Sequence, residues 1–260
     1  MELYKKYRPK DLKEIVGQDS AVNILKKYIK TGNIPHAILL TGPSGCGKTT
    51  IARILRKILN CSKQDFNEIN GADTRGIDTI REIRMRMNQA PIKGSCRIWL
   101  IDECSKLSND AQTSFLKMLE DTPNHVYFIL ATTDPQKLLK TIKTRCTEIP
   151  VKPISTLHLE KLIKNILKKE GKTQFPEEVI EKIIDNSFNS ARQALVLLDK
   201  VIDMDNEVEM LNIIQNQSME VQAYSLVEAL LYSARPSWNE IVKILKELEG
   251  EDVEGIRYLV

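Results

Sequence analysis

The stretch Ile38-Leu39-Leu40-Thr41-Gly42-Pro43-Ser44-Gly45-Cys46-Gly47-Lys48-Thr49-Thr50 constrains this chain more than any other. An apolar run leads into a glycine-rich turn, and the amphipathic pattern Ile51-Ala52-Arg53-Ile54-Leu55 follows it. The order is therefore buried strand, G-x-x-x-x-G-K-T loop, helix. Gly42, Gly45 and Gly47 permit backbone angles that a side chain would forbid, so successive N–H groups can turn inward around a phosphate at a helix N-terminus. In such a loop Lys48 reaches the β- and γ-phosphates and Thr49 ligates Mg²⁺. Residues 42–50, from Gly42 through Pro43, Ser44, Gly45, Cys46, Gly47, Lys48 and Thr49 to Thr50, are thus the expected phosphate-binding segment.

A second signal lies downstream. Arg97-Ile98-Trp99-Leu100-Ile101-Asp102-Glu103 reads as a buried strand ending in two acids. Paired with the phosphate loop, it assigns Asp102 to the Mg²⁺ shell and Glu103 to orienting an attacking water. A further strand, Val126 to Ala131, ends at Thr132-Thr133-Asp134-Pro135. Ligands in sheets of this kind bind at the carboxyl ends of the strands, so either hydroxyl could face the nucleotide; ordinary strand-end capping is the alternative. Phe66 to Asn70 and Thr147 to Pro150 complete five strands, with helices between most of them, in a three-layer α/β domain with a mostly parallel sheet.

After Pro150-Val-Lys-Pro153 the periodicity becomes all-helical, with Leu/Ile/Val stripes over 157–169, 176–186 and 191–201. Met204-Asp205-Asn206 is a polar break, and more helical pattern follows it. The expected division is a nucleotide-binding domain over 1–152, a small helical domain over 153–204, and the start of a third helical domain over 205–260. Tyr258-Leu259-Val260 reads as an unfinished helix, consistent with a third domain truncated there or completed by other subunits.

Composition sets the remaining bounds. The chain has 260 residues, 42 % hydrophobic and 28 % charged, a globular composition with room for more than one domain. No apolar run is long enough to span a bilayer, so no membrane partner and a cytoplasmic location are expected. Five cysteines without a C-x-x-C pair argue against zinc and against disulfides. A net charge of +3 is too small to imply polyanion binding by itself. DNA contact therefore has to rest on local placement. The turn Gly71-Ala72-Asp73-Thr74-Arg75-Gly76-Ile77-Asp78 and the helix after it, with Arg81, Arg84 and Arg86, offer N–H groups and cations to a second anion; a solvated helix face is the bland alternative. Lys106 and Lys117 are further cations of this kind.

Taken together these residues resemble a sliding-clamp loader ATPase of the AAA+ class, similar to the gamma/tau subunit of bacterial DNA polymerase III and to the small subunits of replication factor C. The stretches that carry the resemblance are Tyr7-Arg8-Pro9, Val16-Gly17-Gln18, Gly42 to Thr49, Asp102-Glu103, Ala131 to Leu138, Thr144-Arg145-Cys146 and Ser190 to Leu195. It implies an AAA+ P-loop domain, a helical lid and a helical collar. It places Val16 and Gly17 against adenine, and makes Thr132 or Thr133 a sensor of the γ-phosphate. Arg145 is carried into the neighbouring subunit's ATP site, and Arg192 on the lid is a second sensor. Arg75, Gly76, Ile77 and Arg81 track the DNA backbone. ATP with Mg²⁺ is the implied cofactor set. The implied partners are a sliding clamp, primer–template DNA, the other subunits of a ring-shaped loader and, indirectly, a DNA polymerase. The four-cysteine zinc module that the bacterial subunits insert after the Cys61 region is missing, so no zinc is expected, and its absence points to a replication-factor-like or phage-like branch. A catalytically weak scaffold subunit, or another AAA+ DNA motor of the helicase or branch-migration type, is the competing reading.

Overall fold

In the computed structural model, residues 2–73 and 76–215 are described. In chain order the regular elements are α1 (Leu3–Lys6), α2 (Asp19–Thr31), β1 (Ala37–Thr41), α3 (Lys48–Ile58), β2 (Phe66–Asn70), α4 (Ile77–Met87), β3 (Arg97–Asp102), α5 (Asn109–Glu120), β4 (Val126–Thr132), α6 (Lys140–Arg145), β5 (Thr147–Pro150), α7 (Thr156–Lys169), α8 (Glu177–Asp185) and α9 (Ala191–Val201). Residues 207–215 are helical as well. The expected unfinished helix at Tyr258 to Val260 lies outside the described residues. Among those described, no helix is long and apolar enough to cross a membrane.

The strands form one sheet in the order β2-β3-β4-β1-β5. Every pairing is parallel, so the sheet is wholly rather than mostly parallel. Such a sheet needs cover on both faces, and the two-residue alternation of the strands supplies it. Ile38, Leu40, Ile98, Leu100, Ile129 and Ala131 point to the face covered by α2 and α3, where Leu25, Ile51 and Leu55 meet them. Leu39, Trp99, Ile101, Phe128 and Leu130 point to the other face, against Ile80 and Ile83 of α4 and Phe115 and Met118 of α5. Phe115 meets Phe128 edge-on, with ring centroids 5.0 Å apart. Each of the fully buried leucine, isoleucine and phenylalanine side chains among these contributes on the order of 2 kcal/mol.

Because β4 lies between β1 and β3, three carboxyl ends come together. Thr41 pairs with Thr132, and Ile101 with Leu130, which leaves Asp102 one step further along at the same edge. The chain leaves β1 at Gly42, whose φ is 146°. A Cβ there would lie 1.9 Å from the Val151 carbonyl oxygen. Val151 in turn donates its N–H to the Thr41 carbonyl at 2.7 Å, so the segment after β5 runs hard against the start of the phosphate loop.

A second core holds α7, α8 and α9 together through Leu159, Ile163, Val179, Ile183, Leu195 and Leu198. Leu3 of α1 is buried in it, and so are Met210 and Ile214 from the helix beyond Asn206. The short N-terminal helix is therefore docked on the helical region, with the Leu3 N–H donating to Asp199 Oδ1 at 3.1 Å.

Gly76 stands at the N-cap of α4, and Asp78 lies inside the first turn, paired with Arg81 at 3.0 Å. The approach to β3 is held by a buried ion pair that no pattern in the sequence announces. Asp65 is fully buried and accepts from the N–H groups of Ile92 (2.8 Å) and Lys93 (2.9 Å), from Ser62 Oγ (2.7 Å) and from Arg97 Nη2 (3.5 Å). Arg97 also donates to the carbonyls of Arg86 and Ala90, which closes the loop between α4 and β3.

Two predictions follow from these contacts. Gly42→Ala forces backbone against backbone in a left-handed conformation and should cost at least ~1–3 kcal/mol in urea unfolding. Gly32→Ala, at φ 69° with nothing within 4 Å, should cost only about 1 kcal/mol. Equal costs would contradict the close approach at Val151. The carboxyl of Asp65 is raised by burial but held below the usual carboxylate range by its four donors, which prevail. A depressed folded pKa means stability that is present above the unfolded value of about 3.9 and is lost as pH falls below it. Asp65→Asn should cost about 1–3 kcal/mol at pH 7 and flatten the acid limb of the stability curve. An acid limb as steep as that of the wild type would contradict this role.

Candidate nucleotide site

The phosphate loop joins β1 to α3, and α3 begins at Lys48 with Gly47 as its N-cap, a residue that offers its first N–H groups no side-chain acceptor. By contrast, Ser108 caps α5 by accepting from the Ala111 N–H, and Ser190 caps α9 by accepting from that of Gln193. An uncapped N-terminus behind a glycine loop offers its N–H groups and the positive end of the helix dipole to an anion.

Lys48 is 6 % exposed. Its ammonium donates to the carbonyls of Gly42 (2.7 Å) and Pro43 (2.9 Å) in its own loop. Burial pushes its pKa down, while the charges of Glu103 and Asp102 partly oppose that. Thr49 Oγ1 donates to Asp102 Oδ2 at 2.8 Å, bringing together the two oxygens expected to share a metal. Two adjacent hard oxygen donors facing a phosphate loop fit Mg²⁺, which takes few protein ligands and completes its shell with phosphate and water.

Glu103 has φ 48° and ψ 45°, a left-handed conformation that costs a non-glycine residue about 1 kcal/mol. Its N–H donates to Asp102 Oδ1 at 3.0 Å, and its carboxylate accepts from Thr133 Oγ1 at 2.9 Å. The two adjacent threonines separate here. Thr132 is fully buried, and its hydroxyl accepts from the Asp134 N–H at 3.0 Å. Thr133 is exposed and bonded to Glu103.

The phosphate loop, Asp102 and Glu103 open on a cavity of about 880 Å³ lined by Ser44 to Thr50, Asp102, Glu103, Val16, Arg192 and residues of the N-terminal segment and α7. Gly17 sits beside its rim, against Ile154 and His158. Arg192 donates its backbone N–H to the Gly45 carbonyl at 3.4 Å, and its guanidinium lies 5.9 Å from the Tyr4 ring centre. A Cβ on Gly45 would meet Ser190 Oγ at 2.0 Å, so α9 is packed directly on the phosphate loop.

Gln18 and Tyr7 stand in stretches that carry the resemblance, but their bonding partners were not given by the sequence. Gln18, 3 % exposed, donates to the carbonyls of Cys46 (3.4 Å) and Lys152 (2.6 Å) and accepts from the Lys152 N–H (3.0 Å). It thereby ties the N-terminal segment, the loop and the connection to α7 together. Tyr7 donates its hydroxyl to Glu170 at 2.6 Å, and Lys6 bonds the same carboxylate at 2.6 Å. Only their placement in the fold shows these roles, because each partner lies far away in the chain.

Other expected residues lie elsewhere. Arg145, at the end of α6, is not among the cavity residues; it bonds Glu120 in its own chain. Of the DNA candidates, Arg75 and the Ile77 side chain lie outside the described residues. Gly76, Arg81, Lys106 and Lys117 are exposed.

Comparison with known proteins places this geometry. A family profile described as DNA polymerase III, delta subunit, matches residues 17–75 and 64–155. The DNA polymerase III subunit gamma of Buchnera aphidicola (subsp. Schizaphis graminum) is 34 % identical over 285 residues, covering 99 % of this chain and 78 % of that protein. The DNA polymerase III subunit tau of Escherichia coli K12 is 30 % identical over 282 residues, covering 99 % of this chain and 43 % of its own length. Among solved structures, the Thermotoga maritima RuvB Holliday junction branch migration motor superposes with a TM-score of 0.67 at 21 % identity, covering 97 % of this chain and 90 % of that one. That likeness shows the fold, a three-layer α/β domain followed by helices, and nothing further. On the sequence relationships, the chain belongs to the DNA polymerase III gamma/tau family of AAA+ clamp-loader subunits.

Proposed function

We propose that this chain is an ATP-hydrolysing motor subunit of a clamp loader. ATP binding within a ring of subunits opens a ring-shaped sliding clamp and grips primer–template DNA, and hydrolysis releases both. The observation that carries this reading is the continuous chain Thr49–Asp102–Glu103–Thr133, from the first turn of α3 to the carboxyl ends of β3 and β4, with Thr49, Asp102, Glu103 and Arg192 lining one cavity. A scaffold subunit has no need of the full set.

Each residue then has a task. The N–H groups of the loop and of the first turn of α3 hold the β- and γ-phosphates, and Lys48 exchanges its two carbonyl partners for phosphate oxygens. Bound Mg²⁺, held through Thr49 and Asp102, supplies charge neutralisation at the transferring phosphoryl group. Glu103 orients the attacking water and receives its proton, and Thr133 aims the Glu103 carboxylate. Thr133, rather than the buried Thr132, is the γ-phosphate sensor. Arg192 reports the nucleotide to the helical lid, whose α9 already touches the loop at Gly45. Val16 and Gly17 lie where the base is received. Arg145 works across the subunit boundary, on the neighbour's nucleotide. Arg75, Arg81, Lys106 and Lys117 meet DNA phosphates.

Lys48→Ala and Glu103→Gln separate binding from chemistry. Lys48→Ala should weaken ATP binding at least ~10- to 100-fold, the loss of charge-assisted bonds to phosphate. Glu103→Gln should bind ATP as the wild type does and lose ~10²- to 10⁴-fold in turnover. Fluorescent-nucleotide titration and phosphate release measure the two quantities. Equal loss of affinity in both variants would overturn the assignment.

A further inference from the structure

Arg145 is the last residue of α6 and Glu120 the last of α5, so two helix ends meet at the surface with opposite charges. Arg145 Nε donates to Glu120 Oε1 at 2.8 Å, and Nη2 donates to the same oxygen. Nη1 donates to the Thr141 carbonyl at 3.1 Å. A guanidinium carries five N–H groups. These bonds use three of them and leave two, one on each terminal nitrogen. That is the pattern of a side chain gripped from behind with donors to spare for a phosphate.

The bridge is a poor device for holding the fold. Glu120 is 49 % exposed and Arg145 35 %, so water screens the pair, and bridges of this kind add little to stability. The two helices are already joined through the core, where Leu119 of α5 and Ile142 of α6 are buried. What the bridge does control is orientation. An unrestrained arginine samples many rotamers, and one that acts on a phosphoryl group across a boundary loses rate when it has to be ordered at each encounter.

We propose that Glu120 is a positioning residue for Arg145: with the Thr141 carbonyl it fixes the guanidinium in the pose in which its two remaining N–H groups meet the neighbouring subunit's nucleotide. The inference rests on the trans role given to Arg145 above. It goes beyond that role by naming the residue through which this chain prepares its arginine.

The test is steady-state hydrolysis of Mg·ATP by the full-length chain assembled with its loader partners on primed DNA. Wild type, Glu120→Ala, Glu120→Gln, Arg145→Ala and the Glu120→Ala/Arg145→Ala double variant are compared, with thermal unfolding of each. Glu120→Ala should lower kcat roughly 10- to 100-fold, with KM for ATP and melting temperature near those of the wild type. Glu120→Gln, which keeps the accepting oxygen, should recover part of the rate. Arg145→Ala should lose ~10³- to 10⁵-fold, and adding Glu120→Ala to it should cost nothing more. An unchanged kcat in Glu120→Ala, or the same further loss in the Arg145→Ala background, overturns the positioning role while leaving the motor intact. Full activity in Arg145→Ala overturns the trans role itself, and the role of Glu120 with it.

Discussion

The phosphate loop of this protein is confined on two sides by backbone and side chains that leave no room for a Cβ. Val151 presses on Gly42 from the segment after β5, and Ser190 presses on Gly45 from the start of α9. Everything the site does depends on that confinement. The loop is packed at once against the segment after β5 and the start of α9, so any change in its shape meets both. Gln18 adds polar bonds to the same junction, reaching both Cys46 in the loop and Lys152 in the connection.

The sheet gives the site its chemistry by topology. Inserting β4 between β1 and β3 sets Thr133 beside Glu103, and the turn after β3 bends Glu103 into a left-handed conformation that carries its carboxylate toward that hydroxyl. Local strain at a residue expected to orient water is sustained by surrounding bonds that over-determine it. Gly71 contributes to this: its N–H donates to the Asp102 carbonyl at 2.7 Å, and a Cβ there would lie 2.6 Å from the Glu103 carbonyl oxygen.

Much of this was legible in the sequence, and the reason is local. The apolar run before Gly42, the strand ending in Asp102-Glu103 and the helical stripes of the lid are periodic patterns read within one element, and each lies where it was expected. What was hidden depends on pairing between distant segments. Nothing near Thr132 or Thr133 says which hydroxyl is used inside the sheet and which faces Glu103. A four-residue helix such as α1 is too short for periodicity to show, so its burial of Leu3 in the lid core could not be read from Tyr4 to Lys6. The pair Asp65–Arg97 unites the residue just before β2 with the first residue of β3, on either side of α4, and two isolated charges carry no signal of burial. Arg145 was expected to serve another subunit, and the Glu120 carboxylate that grips it became visible only once α5 and α6 were placed side by side.

The central claim is that nucleotide turnover here serves clamp loading rather than another AAA+ task that shares the same fold. ATP hydrolysis by the full-length chain with its loader partners, measured alone, with primed DNA, with a sliding clamp and with both, tests it most directly. The account predicts a low basal rate that rises most when clamp and primed DNA are present together. A rate indifferent to the clamp, or one raised instead by a four-way DNA junction, would contradict it.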